Sequence, residues 1–113
     1  LCGWYPSSVL PQNGDFIMRH AQSVHLKHKV SVIHIITKSD ISKTEIDVIK
    51  EGDLSTYIAY IPPSSNPIKK LVRFWKAYKR VLRKIGSFNL VHLNKLYPFG
   101  LFALHLKKCK HIP

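Results

Sequence analysis

"KVSVIHIIT", Lys29–Thr37, decides the fold. Val30, Val32, Ile33, Ile35, Ile36 and Thr37 are all β-branched, and the run is apolar almost throughout. A run this short and this apolar is too brief for a buried helix and lacks the alternation of a half-exposed strand. It predicts a strand covered on both faces, the kind found in parallel sheets flanked by helices.

The neighbouring segments extend that sheet. "TEIDVIKEG" (Thr44–Gly52) alternates through Ile46 and Val48 and stops at Gly52, which predicts a strand nearer an edge. "LSTYIAYIPP" (Leu54–Pro63) is a further strand, ended by Pro62 and Pro63. Upstream, Ile17, Ala21 and Val24 recur at helical spacing, and Asn13, Gly14 and Asp15 supply turn and N-cap chemistry ahead of them. The opening "LCGWYP" reads as the end of a buried strand, so an earlier start to that strand is expected.

Downstream lies the strongest helical pattern, "SSNPIKKLVRFWKAYKRVLRKIG" (Ser64–Gly86). Asn66 and Pro67 open it and Gly86 closes it. Ile68, Leu71, Val72, Trp75, Tyr78, Leu82 and Ile85 make an apolar stripe. Lys69, Lys70, Arg73, Lys76, Arg80, Arg83 and Lys84 lie opposite, with Lys79 intruding into the stripe. "FNLVHLN" predicts a short buried strand from Phe88 to about Leu93. Pro98 then opens a last helix ending in Lys107 and Lys108, cations suited to a helix C-terminus. Strands separated by helices predict one α/β domain over residues 1–113, with a mostly parallel sheet. Ligands bind such sheets beyond the strand carboxyl ends, which selects the loops Trp4–Gly14 and His92–Pro98.

Charge is distributed unevenly. The net charge is +12, yet Leu1–Asn66 carries six Lys/Arg against six Asp/Glu, and Pro67–Pro113 carries twelve Lys/Arg and no acid. One strongly basic half predicts a polyanionic partner. The basic helix has three readings: a solvated face packed on the sheet, an anionic-membrane contact, or a phosphate-backbone contact. Its aromatics, Phe74, Trp75 and Tyr78, face or border the core, which disfavours nucleic acid. Cys2 and Cys109 are expected to be reduced thiols, and no metal-ligand spacing occurs among the seven histidines.

Candidate chemistry is sparse. Gly14 before a helix serves either a structural turn or a close backbone approach to an anion. His92 and Asn94 are two apart and so face one side; His92 either positions or deprotonates a hydroxyl or bonds a nearby loop. The other histidines, His20 and His34 among them, read as surface or core fillers. No Ser-His or Cys-His arrangement has an acid partner, which argues against a self-sufficient enzyme.

Three segments together resemble the family 4 glycosyltransferases, retaining enzymes of two Rossmann-like domains in the GT-B architecture. "WYPSSVLPQNGDFIMRHAQSV" (Trp4–Val24) is similar to their opening loop and first helix, and "KVSVIHII" to their second strand. "FNLVHLNKLYPFGLFALHLKKCKHIP" is similar to their His-x-Asn/His, Tyr-Pro-x-Gly, Ala-Leu block. The resemblance implies part of the N-terminal, acceptor-side domain, with the donor-binding domain lying beyond this chain and no catalytic residue within it. The intact enzyme would move a sugar from a nucleotide-sugar to a glycan or lipid-linked acceptor, with no metal and no cofactor beyond that donor substrate. Asn13, Gly14, Asp15, Arg19, His92 and Asn94 would line the cleft. "NGDF" carries one glycine where some members have two. The basic face from Lys69 to Lys84 would dock the parent enzyme on a cytoplasmic, inner-membrane surface. A partial unit of this kind would leave apolar sheet uncovered, a surface that favours a homodimer.

Overall fold

The computed structural model describes residues 1–95 and 99–110, with side chains described over 1–95 and 100–106. Three strands form where the β-branched runs predict them: β1 (Val30–Thr37), β2 (Glu45–Glu51) and β3 (Leu54–Ile61). Their order is β1-β3-β2. β1 and β3 pair in parallel from Val30↔Leu54 to Thr37↔Ile61, while β2 pairs antiparallel with β3. The sheet is therefore mixed, where a mostly parallel one was expected. The reason is local: Gly52, at φ 59°, allows a two-residue hairpin between Glu51 and Leu54, and a hairpin makes its strands antiparallel.

The register sorts the side chains by face. Val32, His34, Thr56, Ile58 and Tyr60 point one way, and Ile33, Ile35, Tyr57, Ala59 and Ile61 point the other. All ten are buried, as a doubly covered sheet requires. The first face meets α1 (Asp15–His25), with Cys2, Tyr5, Ile17, Ala21, Val32 and Leu54 in one cluster. The second meets α2 (Pro67–Ile85) and α3 (Phe99–Lys110), where Ala77, Tyr78, Val81, Phe102 and Leu106 close over the sheet. Tyr78 donates its hydroxyl proton to the Phe102 carbonyl oxygen at 3.1 Å and stacks on that ring at 4.7 Å.

α2 begins as its sequence dictates. The Asn66 side-chain oxygen accepts from the Ile68 amide at 2.9 Å, and Pro67 occupies the first turn. Most of the expected stripe is covered: Tyr78 is buried, Trp75, Leu82 and Ile85 pack against the core, and Leu71 is half-buried. Ile68 and Val72 are exposed, at 72% and 44%, and the buried face runs through Ala77, Tyr78 and Val81. Ala77 and Val81 join that face, and Trp75 and Tyr78 pack toward Phe102 of α3 as well as the sheet. On α1, Ile17 and Ala21 are buried as expected, but Val24 lies at the rim, 36% exposed.

The chain's opening residues extend the sheet. Cys2 bridges His34 in parallel, and the Cys2 amide donates to the Ile33 carbonyl oxygen at 2.8 Å. On the far side, the Leu1 nitrogen donates to the His92 carbonyl oxygen at 3.0 Å, and the Leu1 carbonyl accepts from the Asn94 amide at 3.1 Å. Two bonds from one residue straddling Leu93 have parallel-ladder geometry. The buried strand expected over Phe88–Leu93 is thus reduced to a short extended segment, with Val91 and Leu93 against the core and Leu90 77% exposed. The expected helix opener Pro98 lies outside the described residues; α3 runs on to Lys110, past the expected end at Lys107–Lys108.

Candidate functional site

The loop between Cys2 and α1 is built into the fold. Tyr5 is buried and its hydroxyl lies 3.5 Å from the Thr56 hydroxyl of β3; burial pushes its pKa up. The Ser8 amide donates to the Tyr60 hydroxyl at 3.1 Å, and the Ser7 side-chain oxygen accepts from the Leu10 amide at 3.2 Å. Between this loop and β2 lies an open depression of about 370 Å³, bordered by Pro6, Pro11, Asp47 and Tyr60. It is a different place from the one the glycine and histidine motifs mark.

Gly14 is the helix N-cap residue, left-handed at φ 75° and ψ 27°, and no side chain caps the helix. The Asn13 side chain therefore does not perform the expected capping role; the Asn13 backbone N–H donates to the Leu10 carbonyl oxygen at 3.2 Å. A Cβ on Gly14 would lie 2.6 Å from the Trp4 carbonyl carbon and 2.8 Å from the Tyr5 nitrogen. Of the two roles open to this glycine, the structure supplies a full reason for the first, since the loop's own backbone fills the space beside it. Gly14→Val therefore perturbs the fold and cannot isolate a ligand contact.

Asp15 and Arg19 form an i, i+4 ion pair at 2.8 Å on the exposed face of α1. Arg19 is thus engaged with its own helix. His92 and Asn94 share a face, as their spacing requires. The Asn94 amide reaches the Cys2 sulfur at 3.6 Å, and the His92 ring sits 5.7 Å from the His20 ring, centroid to centroid. The structure brings together His20, His92 and Asn94 at the seam between α1 and the extended segment, with Gly14 and Asp15 at the start of the same helix.

His20 is the residue that motif reasoning missed. It belongs to no recognised spacing with His92, which is 72 positions away, and only the pairing of Leu1 with residues 92–94 puts the two side by side. His34 is also more than filler. It is 1% exposed; its Nδ1 lies 3.2 Å from the Cys2 carbonyl oxygen and its Nε2 has no hydrogen-bond partner. Burial lowers its pKa, opposed in part by that backbone bond. Burial also pushes the Cys2 thiol up, which makes it a poor nucleophile.

The basic face divides. Arg73 donates from Nη1 to the carbonyl oxygens of Pro62 at 3.0 Å and Pro63 at 2.5 Å, so it clamps the β3–α2 turn. Lys79 lies over the Trp75 ring at 5.3 Å. Ile68, Val72, Lys76, Lys79 and Arg83 form the outermost row of α2, apolar at its start and cationic at its end. Lys69, Lys70, Arg80 and Lys84 are exposed along its flanks.

Among the described residues no three His, Cys, Asp or Glu side chains converge to hold a metal, and no helix is long and apolar enough to cross a membrane. No family model, no curated protein and no solved structure matches the chain.

Proposed function

We propose that this chain is the acceptor-side, Rossmann-like part of a retaining glycosyltransferase that draws on a nucleotide-sugar. The observation that carries the proposal is convergence: the two motif blocks that resemble that family lie side by side. The helix that Gly14 starts packs through Ile17 and Ala21 in one cluster with Cys2, and the His92–Asn94 segment bonds Leu1 and Cys2. Reading the extended segment and the opening residues as strands gives an order of 92–94, opening strand, β1, β3, β2, with helices on both faces. That order suits a half-Rossmann unit with an antiparallel edge, and such units bind ligands at the strand carboxyl ends.

In this proposal the chain's own residues position an acceptor. His92 is exposed and stands where it can accept a hydroxyl proton or orient the hydroxyl. Asp15 and Arg19 pair with each other on α1, the helix that also carries His20. The donor sugar nucleotide supplies the leaving phosphate. The test is transfer from a panel of nucleotide-sugars by the protein as its gene encodes it, with His92→Ala and Asn94→Ala alongside. The proposal requires sugar transfer that both substitutions reduce by at least about tenfold, an effect of the size expected for a lost positioning or proton-transfer group. Transfer that neither substitution alters refutes the assignment of the site.

A second reading rests on the outer row of α2. Ile68 and Val72 beside Lys69, Lys76, Lys79, Arg80 and Arg83 make a surface suited to an anionic bilayer. Each cation near such a surface contributes about 1 kcal/mol. Co-sedimentation with phosphatidylglycerol vesicles at low salt should fall when Lys76, Lys79 and Arg83 are neutralised; retention unchanged by that triple variant refutes it.

A further inference from the structure

We infer that His20 and His92 together form a binding site for a phosphate oxyanion. The two rings come from different elements, α1 and the extended 92–94 segment, and stand 5.7 Å apart at an interplanar angle of 53°. A phosphate oxygen about 2.8 Å from one nitrogen of each ring fits between centroids at that separation. Both residues are exposed, and among the described residues the ring contact is the only interaction either side chain makes. The described residues therefore leave these imidazole nitrogens available to a ligand.

The surroundings select the charge of that ligand. On α1, the carboxylate of Asp15 is already satisfied by Arg19 at 2.8 Å, one turn before His20. Beyond Asn94, Lys95 places its ammonium over the Trp4 ring at 5.4 Å, and the neighbouring Cys2 thiol is held protonated by burial. The chain as a whole carries +12. Such a field attracts an oxyanion and repels a cation. A metal also needs three or four ligands, and the described residues offer only this pair. The inference does not depend on glycosyl transfer, because the probe is inorganic phosphate itself.

The test is NMR of the histidine ring C–H signals during titration with sodium phosphate at constant pH and ionic strength. The expected result is a saturable, joint movement of the His20 and His92 signals. His20→Gln and His92→Gln each remove the saturable response of the remaining ring. Both positions are exposed, and an unchanged Tm shows that each variant folds. Separate arms with a nucleoside diphosphate and with phosphatidic acid vesicles identify the source of the phosphate, and a response to either supports the site. Three results overturn it: neither ring responds, both variants bind as the parent does, or stoichiometric Zn²⁺ moves both rings while phosphate moves neither.

Discussion

Replacing Gly14 with alanine isolates what the opening loop contributes to the fold. Two costs arise at this position. The first is conformational: φ is 75°, and a residue with a Cβ pays about 1–2 kcal/mol to adopt the left-handed region. The second is steric, because the new Cβ would meet the Trp4 carbonyl carbon and oxygen, each at 2.6 Å, and these are backbone atoms that cannot swing aside. The Trp4–Tyr5 peptide must move, and it is tied to β3 through the Tyr5 and Ser8 contacts. Together the costs come to about 2–4 kcal/mol, a large share of the 5–15 kcal/mol typical of a domain. Gly52→Ala is the internal control. Its φ of 59° carries the same conformational cost, but nothing lies within 4 Å of its Cβ, so about 1 kcal/mol is expected. Urea unfolding measures both variants, with an unchanged slope showing that the exposed surface on unfolding is the same. Equal losses at the two glycines would refute the close approach of the loop to the helix start.

His34 makes stability depend on pH. Its folded pKa lies below 6.5, so under acid conditions the unfolded chain takes up a proton that the folded chain refuses. The His34 contribution is constant above about pH 6.5 and declines as pH falls below that, by at most about 1.4 kcal/mol per unit. His34→Gln should flatten that slope, as read from urea midpoints between about pH 5 and 7. The phase of α2 predicts opposite outcomes for two apolar residues: Val81→Ala, at a site 0% exposed, should cost about 2 kcal/mol, and Ile68→Ala, 72% exposed, less than about 0.5. Thermal or chemical unfolding separates them, and equal costs would refute the placement of Ile68 outside the covered face. Tyr78→Phe removes the buried bond to the Phe102 carbonyl oxygen and should cost about 1 kcal/mol, with α3 exchanging its amide hydrogens faster in consequence.

The sequence alone determined the parts that depend on local periodicity and composition. β-Branched runs placed β1 and β3 because their side chains suit a covered sheet, Gly52 ended β2, and Asn66–Pro67 opened α2 through a cap that needs no distant partner. The charge asymmetry and the shared face of His92 and Asn94 were equally legible, since net charge is a sum and strand periodicity is two. Tertiary structure decided the rest. It chose which apolar residues of α2 are buried, because Leu71, Val72 and Trp75 satisfy several helical phases and only contact with Phe102 selects one. It reduced Phe88–Leu93 to an extended segment held by Leu1, a bonding partner with no trace in the local pattern. It also packed the Trp4–Tyr5 backbone closely against Gly14 and set His20 beside His92. Both outcomes depend on contacts between residues far apart in the chain or folded back across a loop, and such contacts exist only once the sheet has assembled.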